Sequence, residues 1–472
     1  MHHSIREGDE SGKTEARISR RGVLRVGMLG GLALGGISLA ACGSSAQGQA
    51  VAGSSTTRTA MQKMTQPHPA VVDLAGHGWP AAVVSAGLGV NLHFTNAAQA
   101  LSQIAQLASL GLRLVRLDLT WSLVERQQGH YDFSLYEPII QALTSRGVRP
   151  LCVLGYSNAL YEPLPAAPAI AVGPHTDAVR QAFARFAGAA AAHFKGRNII
   201  WEVWNEPDNV RFWSPAPIPE DYLALLKATV PALRQADPYA LIIAPALTGM
   251  SDQYPAAWTY LENCFSLGLA SLVDAISVHP YRPGAPETVT ADYQRVRSLL
   301  TRYAPKDKAH LPIVNSEWGY STTLVSRDQQ AAYLTRLSLI NLLSGLPISI
   351  LYDWQDDGTD ARQPEDNFGL LTSRGQPKPA YTAMRTLIHE LAGFRFSRRL
   401  NSGADYTLLF TNGSSQKQVL WTTGDPHIVT LSIEARGVTV TSMAGEQRVQ
   451  PVIRNQTLLE ISGNPQYVTP IA

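Results

Sequence analysis

Cysteine is scarce in this chain, with three in 472 residues, so a disulfide framework or a structural zinc site is excluded as the organising device. Charge is scarce as well. It amounts to 16% of residues, with a formal net of +2 and no basic stripe, which removes the electrostatic footprint of a nucleic-acid binder. No cluster of His and Cys occurs at ligand spacing, and no metal or other cofactor is expected. No glycine-rich phosphate loop follows the first strand-like segment, which argues against a doubly wound nucleotide-binding sheet. What the chain does have is apolar residues, 45% of the total, enough to bury a large core in one big domain or two unequal ones.

The first 41 residues stand apart. Ser19-Arg20-Arg21-Gly22-Val23-Leu24 carries the paired arginines of a twin-arginine export signal, and Val26–Ala41 is uncharged and rich in Gly, Ala and Leu. Leu39-Ala40-Ala41-Cys42-Gly43 then has the form of a bacterial lipobox, so residues 1–41 are expected to be cleaved and Cys42 acylated. An uncleaved anchor is the competing reading. It is disfavoured because sixteen residues span only about 24 Å as a helix, against a bilayer core of about 30 Å. Removing the signal takes away six basic and four acidic residues, leaving 33 of each (39 − 6 and 37 − 4). A formally neutral mature chain suits a neutral or weakly charged polymer. Residues 42–70, rich in Ser, Thr, Gly, Ala and Gln, read as a flexible tether holding the protein to a membrane through the lipid. The remaining cysteines, Cys152 in a strand and Cys264 in a helix, are expected to be unpaired.

From about residue 86, short apolar segments alternate with longer amphipathic ones. The strands predicted are Gly87–His93, Leu112–Leu119, Arg149–Tyr156, Asn198–Asn205, Leu241–Leu247, Ala275–Tyr281, Pro312–Glu317 and Ile348–Trp354. Helices are predicted between them, among them Ala97–Leu110, Pro219–Ala236 and Arg327–Gly345. Eight such units make an α/β fold, a (β/α)8 TIM barrel over residues 71–390. After about Leu391 the rhythm changes to short strands with turns, so residues 391–472 are expected to form a small C-terminal β-sandwich. The molecule is expected to be a monomer.

Two strand ends carry the chemistry. Trp201-Glu202-Val203-Trp204-Asn205-Glu206-Pro207 runs from a buried strand into an Asn-Glu pair stopped by proline. Pro312-Ile313-Val314-Asn315-Ser316-Glu317-Trp318-Gly319 repeats the arrangement 111 residues later (317 − 206). Two such carboxylates suit glycoside hydrolysis, one as proton donor and the other as nucleophile or base. Alternate residues on the other strands add His93, Arg116, Asp118, Tyr156, Asn205, His279, Tyr281 and Trp354 to the same rim, with Trp121 and Trp318 beside it. Tryptophans can stack on the C–H faces of sugars, amides and His93 can bond hydroxyls, and Arg116 can hold a carboxylate ionised. Each has a structural alternative. Arg116 can pair with Asp118 or the deeper Glu202, and Trp121 and Trp354 can be core. The acidic run Asp353, Asp356, Asp357 and Asp360 is read as a solvated loop rather than a metal site.

Trp204-Asn205-Glu206-Pro207, Ser316-Glu317-Trp318-Gly319, Arg116, His279-Pro280-Tyr281 and Trp354, in this order, resemble the clan A glycoside hydrolases. The stretch Arg116–Trp121 with Glu125, Gly129 and Tyr131-Asp132-Phe133-Ser134 resembles family 39 of that clan, and most of all its biofilm-exopolysaccharide endoglycosidases of the PslG kind. The likeness covers about residues 86–390. It implies a retaining double displacement with Glu206 as acid/base and Glu317 as nucleophile. It also implies that Asn205 holds the 2-hydroxyl and that His279 and Tyr281 orient the nucleophile. Three functions remain in contention: an endo-acting hydrolase of an exopolysaccharide, an exo-acting β-glycosidase such as a β-xylosidase, and a non-catalytic carbohydrate-binding protein.

Overall fold

The computed structural model describes residues 78–80 and 82–471, so the export signal, the tether and Cys42 lie outside the described residues. The apolar segments close into a parallel barrel. Its strands are β1 (Leu88–Asn91), β2 (Leu114–Thr120), β3 (Arg149–Gly155), β4 (Ile200–Val203), β5 (Leu241–Thr248), β6 (Ala275–His279), β7 (Ile313–Trp318) and β8 (Ser349–Leu351). They pair in sequence order and β8 returns to β1. Helices cover the outer face, so these strands are buried on both sides and read as near-continuous apolar runs. Leu114, Leu151, Ile200, Ile243, Val314 and Ile350 pack together as a plug, joined by Trp79. Gly89 on β1 makes room for it, because a Cβ there would meet the Leu114 side chain at 2.6 Å and that of Ile350 at 2.5 Å.

Eight long helices follow: α1 (Ala97–Leu110), α2 (Glu137–Thr144), α3 (Asp177–His193), α4 (Pro219–Ala236), α5 (Pro255–Ser266), α6 (Val289–Tyr303), α7 (Arg327–Leu343) and α8 (Pro379–Glu390). Their ends obey local rules. The Asn96 side chain accepts the Gln99 N–H at 3.0 Å to start α1, and Gly111, at φ 101°, ends it in the left-handed region. Several strands stop short of the expected ends. β4 stops at Val203 because Trp204 and Glu206 adopt left-handed backbone, at φ 71° and 46°, and turn the chain across the rim. Strain of this kind in bulky residues concentrates at functional sites.

The chain then forms eight antiparallel strands: β9 (Arg395–Arg399), β10 (Asp405–Asn412), β11 (Ser415–Thr422), β12 (His427–Ser432), β13 (Gly437–Thr441), β14 (Gln447–Pro451), β15 (Gln456–Ile461) and β16 (Gln466–Ile471). Six make one sheet in the order β14-β13-β16-β11-β10-β9, while β12 pairs with β15. Leu420, Leu431, Val438, Val440, Leu459 and Val468 fill the space between the sheets. β9 and β14 are edge strands of mostly polar sequence, which is why no apolar alternation marks them. The other face of the large sheet, with Leu408, Phe410, Val419 and Trp421, belongs to the same apolar core as the barrel helices. At that junction buried Glu287 accepts from Arg336 at 2.7 and 2.6 Å and from the Trp421 indole N–H at 2.7 Å. Cys152 and Cys264 are both buried and free. No helix among the described residues is long and apolar enough to cross a membrane.

Candidate active site

Arg116 is the hub of the barrel's carboxyl-terminal end. It points inward from β2 and is buried with its partners. Its Nε–H donates to Glu202 at 2.7 Å, one terminal nitrogen donates to Glu317 at 2.7 Å, and the other donates to Asn205 Oδ1 at 2.8 Å. Both readings of Arg116 therefore hold together, since it pairs with the deep Glu202 and with the rim carboxylate Glu317. Fixing Asn205 Oδ1 leaves the amide N–H groups of Asn205 to meet a ligand.

Glu317 ends β7. Besides Arg116, its carboxylate accepts the Tyr281 hydroxyl at 2.9 Å, and His279 Nδ1 stands 4.0 Å away. Burial pushes the Glu317 carboxyl up, but His279, Arg116 and the Tyr281 hydroxyl overcome it and hold its pKa below the usual value. Glu206 lies opposite, without a guanidinium partner. His279 Nδ1 is 3.1 Å from its Oε1, and the Asn209 amide donates to Oε2 at 3.3 Å. The backbone N–H of Glu206 is anchored to the Ala246 carbonyl at 3.0 Å. One oxygen of Glu206, one of Glu317 and a ring nitrogen of His279 lie within 4.8 Å of one another. This arrangement holds one carboxylate charged by Arg116 beside a second that has no guanidinium partner and shares His279 with it.

The other expected residues divide. Asp118 and Tyr156 meet on the rim, the Tyr156 hydroxyl donating to Asp118 at 3.3 Å. Burial, only partly offset by Arg116 and His93, pushes the Asp118 carboxyl up to about 6. His93 is mostly buried, with 16% of its side chain exposed, and its ring lies edge-on to Tyr352 at 5.3 Å. The tryptophans lie elsewhere. Trp121, 0% exposed, stacks on Tyr161 at 5.0 Å, and its N–H donates to Glu125. Trp354 packs on Tyr381 of α8 at 6.1 Å, and Trp318 lies under Arg282, 5.3 Å from the guanidinium carbon. All three rings are buried. Trp318 follows inward-facing Glu317 on β7 and so points to the helical layer, whereas Trp121 opens the short helix Trp121–Val124 and Trp354 lies beyond the end of β8.

The acidic run is only partly a solvated loop: Asp360 is exposed, but the others are engaged. Asp353 is buried, Asp357 is bonded to His93, and Asp356 accepts from the buried Lys378 ammonium at 2.6 Å. Asn209, Tyr352 and Glu365 are site residues without an expectation from sequence. The Tyr352 hydroxyl donates to Glu365 at 3.2 Å, and burial together with Glu317 pushes the Glu365 carboxyl up to about 9. The spacing of Asn209, three residues after Glu206 in a turn, was the only available signal among them.

Residues 81–355, more than half of the chain, match the family model described as Cellulase (glycosyl hydrolase family 5). The chain belongs to this glycosyl hydrolase family. Among solved structures, the chain is similar to a family 39 glycoside hydrolase from Bacteroides cellulosilyticus WH2, with a TM-score of 0.72 and 25% identity over 84% of this chain and 81% of that one. It shares the fold of a family 39 β-xylosidase from Caulobacter crescentus, with a TM-score of 0.62 and 17% identity over 84% of this chain and 97% of that one. Among curated sequences it is similar to a β-xylosidase of Geobacillus stearothermophilus, 27% identical over 213 residues, 40% of each chain. A β-xylosidase of Caldicellulosiruptor saccharolyticus is 25% identical over 40% of this chain. The chain thus spans 40% and 41% of the lengths of these curated relatives.

Proposed function

We propose that this protein is a retaining, family 39-like endoglycosidase that cleaves a bacterial exopolysaccharide by double displacement. Glu317 attacks the anomeric carbon as the bond to the leaving oxygen breaks, and Glu206 gives that oxygen its proton. Water then attacks the glycosyl–Glu317 ester, Glu206 takes the water's proton, and Glu317 leaves as carboxylate. The observation that carries this reading is the approach of Glu206 and Glu317 oxygens to within 4.8 Å, which suits the short carboxyl spacing of retaining enzymes, about 5–5.5 Å, and not the 6.5–9.5 Å of inverting ones. Arg116 and Tyr281 on Glu317, and their absence from Glu206, support the division of roles. Asn205 is suited to hold the hydroxyl beside the anomeric carbon.

The polymeric substrate and the location rest on the sequence. The neutral mature chain, the lipobox at Cys42 and the tether suit an exported lipoprotein, facing the periplasm or cell surface, that works on a polymer close to a membrane. The similarity to β-xylosidases favours a second reading, an exo-acting β-xylosidase. Incubating the mature protein with a panel of exopolysaccharides and xylo-oligosaccharides, and sizing the products, separates the two. A ladder of intermediate lengths supports endo cleavage; release of xylose alone supports the second reading, and no product from any substrate contradicts both.

A further inference from the structure

His93 and the aspartates after β8 are 264 residues apart but form one group on the cleft rim. His93 Nδ1 lies 3.0 and 3.1 Å from the two oxygens of Asp357 and 3.4 Å from Asp353 Oδ2. Among the described residues its Nε2 has no hydrogen-bond partner, and the side chain keeps 16% of its exposure. The ring is braced edge-on by Tyr352 at 5.3 Å, and Tyr352 in turn lies edge-on to Tyr281 at 6.4 Å. Tyr281 holds Glu317, so two tyrosine rings join His93 to the rim carboxylate of the reacting pair.

We propose that Asp353 and Asp357 are specificity-determining positioning residues that keep His93 doubly protonated, so that its free Nε2–H donates to a neutral hydroxyl of the sugar being cleaved. This rests on the glycosidase reading. A neutral imidazole clamped at Nδ1–H presents a bare Nε2 acceptor; only the imidazolium donates from both nitrogens. Burial alone would discharge the ring, but Asp357 and Asp353 outweigh it and raise the pKa well above the ordinary histidine value. The other ionisable groups facing it are Asp118 from β2, Glu317 from β7 and the Tyr352 phenol, none of them a cation. Burial and Asp357 push the Asp353 carboxyl up to about 7, so the group carries no net positive charge as long as Asp357 is ionised. It therefore gives a uronate carboxylate no net positive charge to pair with and favours an uncharged sugar. The donor is present below the raised pKa and is lost as pH rises through it.

The test follows the His93 ring proton by NMR, identified by its loss in His93→Gln, alongside kcat/KM for 4-nitrophenyl β-xyloside and 4-nitrophenyl β-glucuronide from pH 5 to 9. The wild type should show an imidazolium persisting above neutrality and a preference for the xyloside. In Asp357→Asn the titration midpoint should fall, the alkaline limb of kcat/KM should move down with it, and kcat/KM at pH 7.5 should drop about tenfold, the size of one charged hydrogen bond. Asp357→Glu should restore both. A midpoint unmoved by Asp357→Asn, or a preference for the glucuronide, overturns the inference. So does activity that requires a divalent cation, which would give the same side chains to a metal. If the NMR titration follows this pattern but neither glycoside is hydrolysed, the clamp stands and the glycosidase reading falls.

Discussion

Replacing Arg116 with methionine keeps most of its volume and removes its charge. The guanidinium and both carboxylates it joins are buried, with side-chain exposures of 5% for Arg116, 0% for Glu202 and 6% for Glu317. Glu202 already has one oxygen without a partner, so the substitution strands it. Removing one partner of a buried ion pair costs about 3–5 kcal/mol. Unfolding entropy is about 2.1 cal/mol/K per residue, or about 0.8 kcal/mol/K over about 390 folded residues, so Tm should fall by about 4–6 °C. The pH dependence is more diagnostic. In the wild type the depressed pKa of Glu317 contributes stability above the ordinary carboxylate value, and this is lost as pH falls through the folded pKa. Without Arg116, burial prevails and the stranded carboxyls prefer to be protonated, so the variant's deficit should shrink on acidification. The acidic limb of kcat/KM should move upward for the same reason. Thermal melts and kinetics of Arg116→Met between pH 4 and 8 check this. A deficit under about 1 kcal/mol, or one constant across that range, refutes the view of Arg116 as the charge that holds Glu317 ionised.

Glu317→Ala should abolish turnover and be rescued by azide with inverted configuration. Glu206→Ala should keep measurable activity on aryl glycosides with good leaving groups, which need little protonation; the opposite pattern in product NMR reverses the assignment. Glu287→Ala strands Arg336 and removes the acceptor of the Trp421 indole. It should cost about 3–5 kcal/mol and split a single melting transition in two as the β-sandwich loosens from the barrel, as read by calorimetry. Cys42→Ala should move the protein from the membrane to the soluble fraction; an unmodified protein already in the soluble fraction contradicts the lipid anchor.

The barrel was legible because each strand is buried on both faces and so writes a continuous apolar run, and because Pro219 marks a helix start. Glu206 and Glu317 were legible because each follows such a run directly. The edge strands β9 and β14 were not, since Arg395–Arg399 and Gln447–Pro451 face solvent and carry no apolar period. Asp353 and Asp357 misled for a different reason. An acidic run looks solvated until its partner is known, and His93 lies 264 residues away from Asp357. The tryptophans erred in the other direction. Trp318 sits beside inward-facing Glu317 on β7, and the alternation of a strand sends neighbours to opposite faces, while Trp121 and Trp354 fall beyond the ends of β2 and β8, where alternation no longer sets direction.

The central claim is that Glu206 and Glu317 work as a retaining pair. Proton NMR of the first-formed anomer during hydrolysis, begun before mutarotation sets in, tests it most directly. The account predicts a product with the configuration of the substrate at the cleaved carbon. A first-formed product of inverted configuration would contradict it.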